Sequence, residues 1–243
     1  MGKRIISQRR GKGSHTYRVR QKASVCSPGY ISVDGGEFEC IRLRSSPGHS
    51  VPIAKFISKE GLMFENFAVN LLYVGQKISF GSRLDSKHQT GQGYRPGDIA
   101  KLGDLKNGTE VFNIEHNPKD GGKFVRTGGN AATVMAKEGD IVKIMMPSKR
   151  VKKFNINCRA TIGRAAGDGR LDKPVLKAGR KFFIKKAKSK LWPRVSAVKM
   201  NAIDHPFGSG RGKRMKSKIA KRNAPPGKKV GLIRPRRTGR KKR

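Results

Sequence analysis

Carboxylates are scarce in this sequence: 16 Asp and Glu face 56 Lys and Arg, a formal charge of +40 over 243 residues. The shortage is uneven. Residues 1–33 hold 8 basic side chains and no acidic one, and residues 143–243 hold 34 basic and 3 acidic. Residues 34–142, with 14 basic and 13 acidic side chains, are nearly balanced. Self-repulsion at such charge density opposes compaction, so the two ends need a polyanion to order them, while the middle can fold by itself. Cysteine is sparse as well. Cys26, Cys40 and Cys158 are odd in number and far apart, without a Cys-x-x-Cys pair, which signals neither a zinc site nor a disulfide framework. The five histidines are equally scattered, so no metal and no cofactor is expected. Long apolar runs are missing: residues 67–74, the longest candidate, are broken by Asn70 and fall short of the roughly 18 residues that cross a bilayer. The basic N-terminus lacks the apolar segment of a signal peptide, and the expectation is a soluble intracellular protein without a membrane partner.

Thirty Gly and twelve Pro favour short strands and turns over long helices. Residues 1–22 read as an extended basic arm, with Gly2, Gly11 and Gly13 opposing regular structure. From about residue 23 the pattern becomes strand-like: Glu39, Ile41 and Leu43 alternate with Cys40, Arg42 and Arg44, and Val51, Ile53 and Ile57 repeat the alternation. Several short strands with turns between them suggest a small barrel. The polar stretch 82–94 reads as a linker. Beyond it, residues 109–115, 124–125, 131–136, 141–146 and 151–156 read as five strands, with a strong turn at 117–122. They fit a compact antiparallel barrel or a sandwich. Past Gly163 periodicity fades. Residues 173–203 have apolar content for a short helix or two, and residues 206–243 read as disordered until bound.

Cations interleaved with Gly, Ser, Asn and Pro suit an arm threading between phosphates, whereas a membrane helix would segregate charge from an apolar stripe. Phe182, Phe183, Trp192 and Phe207 could stack on unpaired bases, which favours RNA over DNA. Catalytic signatures are absent: Gly103 to Gly108 has the spacing of a phosphate loop, but Thr109 stands where Lys is required. One constellation stands apart, Asn201 to Gly210, which holds the last carboxylate (Asp204) and the last histidine (His205). A carboxylate can orient an imidazole base, yet adjacency in sequence implies no nucleophile, and a tight loop touching RNA is the plainer reading. Two further hypotheses come from other classes: an RNA-processing or acyl-transfer enzyme using His205, and a chromatin-type DNA-condensing protein.

At this loop the chain resembles a known family. Met200-Asn201 followed by Asp204-His205-Pro206-Phe207-Gly208 is similar to the signature of the universal large-subunit ribosomal proteins of the L-two family, in their archaeal and eukaryotic form. Arg159-Ala160-Thr161-Ile162-Gly163, Arg170-Leu171-Asp172-Lys173-Pro174, Leu176-Lys177-Ala178-Gly179-Arg180 and Trp192-Pro193-Arg194-Val195 also match, as do residues 224–233 and 236–240. The likeness is strong from about Thr109 onward and weaker before it. Ser196, Ala197, Lys199, Ala202 and Ser209 depart from the usual pattern of Arg, Gly, Ala, Pro and Gly.

The resemblance implies a mainly β chain: a basic arm (1–22), an oligonucleotide-binding-fold-like barrel (23–85), an SH3-like barrel (86–165) and a basic extension threading rRNA (166–243). It implies a non-enzymatic structural role in the large subunit of the cytoplasmic ribosome. Partners would be large-subunit rRNA, other ribosomal proteins, and the small subunit across the intersubunit face. The rRNA-binding residues implied are Arg9, Arg10, Arg159, Arg164, Arg170, Lys173, Lys177, Arg180, Arg194, Asn201, Asp204, His205, Gly208, Arg236, Arg237 and Arg240. His205 corresponds to a family position that supports the peptidyl-transferase centre, where RNA does the chemistry.

Overall fold

Short strands dominate, as the glycine and proline content implies. The computed structural model describes residues 2–33, 35–81, 94–209 and 219–236. The chain divides into two compact units, residues 20–180 and residues 1–19 with 181–243. In the first, ten strands form one sheet: β1 (Gly36–Arg44), β2 (Ile53–Ser58), β3 (Met63–Phe67), β4 (Lys77–Phe80), β5 (Ile99–Lys101), β6 (Glu110–Phe112), β7 (Ala132–Glu138), β8 (Ile141–Met145), β9 (Val151–Asn155) and β10 (Arg159–Ile162). Their spatial order is β3-β2-β1-β4-β5-β10-β6-β7-β8-β9. Neighbours pair antiparallel except β4 and β5, which run parallel and meet at Phe80 and Ile99.

Two apolar clusters fill this unit. One gathers Phe38, Phe56, Phe64 and Phe80 with Ile78 and Ile99. Its rings meet edge to face, Phe38 on Phe64 at 5.0 Å, and stacked, Phe56 on Phe64 at 5.1 Å. Such geometries respect the aromatic quadrupole. The other cluster is aliphatic, built on Leu102, Leu105, Ile114, Val142 and Ile144. A smaller group, including Phe67, Val69, Phe112 and Ala165, packs around the bridge of Val69 to Ala165.

The alternation in residues 39–44 marks a strand but does not reveal its buried face. Phe38 and Cys40 are buried, while Ile41 and Leu43 are 40% and 38% exposed. The period of two itself separates them, since positions 38 and 40 face the core and 39, 41 and 43 face away; the register shift between Cys40 and Arg42 ends the alternation, leaving Arg42 exposed as well. Residues 131–136, 141–146 and 151–156 form β7, β8 and β9 as read. Residues 124–125 do not form a strand: Phe124 makes only an isolated bridge to Ile114. At an edge of the sheet, β9 carries Lys152 and Lys153, charges that discourage edge-to-edge pairing.

In the second unit the N-terminal arm is not extended throughout. It contains α1 (Ile6–Gly11) and a 3-10 turn at His15–Tyr17. Gln8 Oε1 accepts the Ile5 N–H at 3.0 Å, satisfying a donor that the helix start would orphan, and Ile5 is buried. Gly11 ends this helix, where glycine costs little. Residues 173–203 supply α2 (Ala178–Ala187), with no buried residue, and a 3-10 turn at Ala197–Lys199. β11 (Ile219–Ala220) and β12 (Leu232–Ile233) pair in parallel. The linker expected at 82–94 lies outside the described residues except for Tyr94, as do the tail segments 210–218 and 237–243. None of the described helices is long and apolar enough to cross a membrane.

Candidate nucleic-acid interface

After Asp172 the sequence offers Asp204 as its one carboxylate, so the cations beyond that point have almost no acidic partner within their own segment. Arg170, Lys173, Lys177, Arg180, Arg194 and Arg236 are all exposed, as are Arg9 and Arg10 at the other end of the chain. Arg237 and Arg240 fall outside the described residues. Arg164 is exposed but engaged: it pairs with Glu110 at 3.0 Å and approaches Asp168 at 3.8 Å. The hydrogen bond and charge of Glu110 raise the Arg164 pKa above its ordinary value.

Arg159, implied as an rRNA contact by the resemblance, is 5% exposed and pairs with Glu115 inside the fold. Its Nε and Nη2 donate to Glu115 Oε1 at 3.1 and 2.8 Å, and Nη1 donates to the Ile31 carbonyl at 2.8 Å. Glu115 also accepts the backbone N–H groups of Lys119, Gly121 and Arg159. The guanidinium lies 5.5 Å from the ring centres of Tyr30 and Phe80. Nearby, Tyr30 Oη donates to the Asn113 carbonyl at 2.7 Å or shares a proton with Thr161. The buried charge is thus both paired and hydrogen-bonded, the condition under which it is tolerated.

The loop around His205 is built by backbone closure. Asp204 and His205 donate their N–H groups to the Asn201 carbonyl, Gly208 donates to His205 O, and Ser209 donates to Met200 O at 2.9 Å. Gly208 is buried where the chain doubles back, and a Cβ there would strike the Asn201 and Met200 carbonyl oxygens. Glycine is therefore required by space. Ser209 has φ 66°, a left-handed conformation that glycine adopts without strain. Asn201 is exposed, while Asp204 and His205 are half-buried.

The Phe207 N–H donates to His205 Nδ1 at 3.1 Å, so Nδ1 is an acceptor and the proton of the neutral ring sits on Nε2. That arrangement differs from a carboxylate-oriented general base, in which Nδ1–H donates to the acid. The surroundings of the three thiols also disfavour the thiolate. Burial raises all three, Cys26 to about 12 with help from Glu65, and Cys158 to about 11. Among the described residues, no cluster of His, Cys, Asp or Glu could hold a metal ion.

Two grooves meet at this loop. The larger, about 800 Å³, is lined by Arg10, Arg194 and His205 from the sequence expectation, and by Lys185, Lys190 and Trp192. The smaller, about 430 Å³, is lined by residues 2–5, Gln8, the loop residues Ala202, Ile203, His205 and Pro206, and residues 226–228. Ile5 and His205 line both. The two lysines carried no sequence signal beyond the general surplus of charge. Trp192 was distinguished only as a planar group.

Comparison with known proteins places these features in a lineage. A family model described as Ribosomal Proteins L2, C-terminal domain, matches residues 95–227. Among relatives named large ribosomal subunit protein uL2, that of Methanococcoides burtonii is 41% identical over 245 residues, covering 99% of this chain and 100% of the relative. That of Archaeoglobus fulgidus is 41% identical over 242 residues, covering 98% and 99% respectively. Likeness carried from end to end, with the family model spanning more than half of the sequence, means that this chain belongs to the ribosomal protein L2 family.

Proposed function

We infer that this protein is a structural component of the large ribosomal subunit and binds rRNA in the cytoplasmic ribosome. The observation that carries this is the 41% identity, over nearly the whole of both chains, with proteins named for that subunit. The charge pattern supports it. Arg9, Arg10, Arg170, Lys173, Lys177, Arg180, Arg194 and Arg236 are exposed cations that would neutralise phosphates where RNA helices pack closely. Arg237 and Arg240 would extend the same set.

Residues 23–85 and 86–165 would act as two small barrels, the first oligonucleotide-binding-fold-like and the second SH3-like. In support, the aliphatic cluster lies within the second range and the aromatic cluster, apart from Ile99, draws its buried side chains from the first. Residues 1–22 and 166–243 would be the rRNA-threading arms. Neighbouring ribosomal proteins and the small subunit, across the intersubunit face, would be the protein-side partners. His205, with Nδ1 occupied and Nε2–H left as a donor, would support the peptidyl-transferase centre by contact rather than by proton transfer. The protein would thus be a scaffold, not an enzyme.

Sedimentation of a native extract on a sucrose gradient tests this reading. The protein should travel with the large subunit, and RNase should release it. Recovery at the top of the gradient without RNase would refute it.

A further inference from the structure

The larger groove at the His205 loop is not simply a basic surface. Its lining includes Arg10, Lys185, Lys190 and Arg194, and among the described residues no carboxylate lines it. Apolar side chains share the lining with those cations: Leu191, Val195 and Met200 together with Trp192. Leu191 and Val195 are 41% and 56% exposed, and Trp192 is half-buried. Lys181 Nζ lies 5.8 Å from the centre of the indole. Phosphates alone would satisfy the cations and leave these apolar side chains against water. A nucleobase would cover them, because it brings a flat π-face within one bond network of its own phosphate. Its volume, about 800 Å³, lies in the range of roughly 300–1,000 Å³ usual for pockets that enclose a small ligand.

We propose that this groove is a nucleotide pocket, which stacks an unpaired nucleobase of single-stranded RNA on Trp192 while Arg10, Lys190 and Arg194 hold the adjacent phosphates. The proposal rests on the RNA-binding reading above and adds what the groove selects: an exposed base in place of the backbone of a helix. Bases inside a duplex are stacked on their neighbours and cannot present a face to the indole. His205 lines the same groove, and its Nε2–H is positioned by the Phe207 contact to donate to a base edge or a phosphate oxygen.

Trp192 is the only tryptophan of the chain, so the emission of the full-length protein reports this groove alone. Three probes carrying equal numbers of phosphates separate the contributions: a single-stranded oligoadenylate, the same ribose-phosphate chain without bases, and an RNA duplex. Binding is read by anisotropy of the labelled probe and stacking by quenching of the indole. Oligoadenylate should quench the emission and bind about 5- to 100-fold more tightly than the abasic chain, from the usual worth of one stacked base. The duplex should bind without quenching. Trp192→Leu should abolish the preference for bases and leave abasic affinity unchanged, and Trp192→Phe should retain most of that preference. Equal affinity of wild-type protein for oligoadenylate and the abasic chain, or binding of oligoadenylate without quenching, overturns the pocket while leaving RNA binding intact. Failure of all three probes to bind overturns both readings.

Discussion

Replacing Arg159 with methionine asks whether this guanidinium serves the fold or the RNA surface. Three side-chain hydrogen bonds would go, two to Glu115 and one to Ile31 O. The Glu115 side chain is 0% exposed, so water cannot take the place of the lost cation. Its three backbone N–H donors remain and soften the loss without removing it. Removing one partner of a buried ion pair costs about 3–5 kcal/mol. At about 2–4 °C per kcal/mol for a chain of this size, Arg159→Met should lower the melting temperature of the unit formed by residues 20–180 by roughly 6–20 °C. Calorimetry of the full chain measures this. A second readout separates fold from interface. A phosphate contact to single-stranded RNA contributes about 0.7 to the slope of log affinity against log salt, whereas a buried arginine contributes nothing. The slope of the variant, taken where it is still folded, should match wild type. A melting temperature within roughly 2 °C of wild type, or a shallower salt slope, would refute the assignment of Arg159 to the fold.

Three further outcomes follow from the same reasoning. Gly208→Ala should push the loop off the Asn201 and Met200 carbonyls, breaking the Ser209 to Met200 closure. It should reduce incorporation into large subunits on gradients while leaving melting of residues 20–180 unchanged; normal incorporation would show that the loop adapts. For Asp120, burial alone would raise the carboxyl pKa. Backbone donors Asn117, Gly122 and His116, with the charge of Lys123, outweigh that and hold it below its ordinary value. A depressed pKa means stability present above the unfolded value, about 3.8, and lost as pH falls through the folded one. Asp120→Ala should therefore cost about 1 kcal/mol at pH 7, discounted for partial exposure, and the gap should close below pH 4 in urea titrations. If about ten phosphates are neutralised in the complex, log affinity for single-stranded RNA should fall against log salt with a slope near −7; a slope shallower than about −3 would remove the cationic arms from the account.

Much of the architecture was legible because it rests on local alternation and turn chemistry. β7 and β8 announce themselves through apolar residues two apart, Ala132 with Val134 and Val142 with Ile144, and through Gly139 between them, while Pro147 and Ser148 mark the turn into β9. β5 and β10 do not. β5 has three residues, too few for a period, and β10 is buried along its whole length, so no polar face marks it. Arg159 completes the disguise, since a charged residue at the start of a strand suggests solvent unless its partner Glu115, 44 positions away, is known. α1 was hidden by its neighbours. Gly11 and Gly13 read as breakers, but the helix stops at the first of them, and its start depends on one Gln8 contact. At the candidate interface, the motif around His205 was visible from its residue types. The tautomer of His205 and the apolar side chains that share the groove lining with Trp192 depend on backbone closure and on segments far apart in the chain, which composition does not encode.

The irregular stretch at residues 28–31 has a consequence for biosynthesis. Pro28 O receives Arg126, Ile31 O receives Arg159, and Tyr30 reaches Asn113 and Thr161. Each of those partners is translated long after the stretch itself, and the Arg159 contact spans 128 positions. At roughly 5–20 residues per second, some 6–26 s pass between synthesis of Ile31 and of the arginine that secures it. During that interval β1 to β4 can pair, since their partners lie close in sequence, but the aromatic cluster beneath Tyr30 stays uncapped. The nascent polypeptide therefore passes through a half-finished stage with phenylalanines open to the cell, which ends when Arg159 emerges to complete the unit formed by residues 20–180.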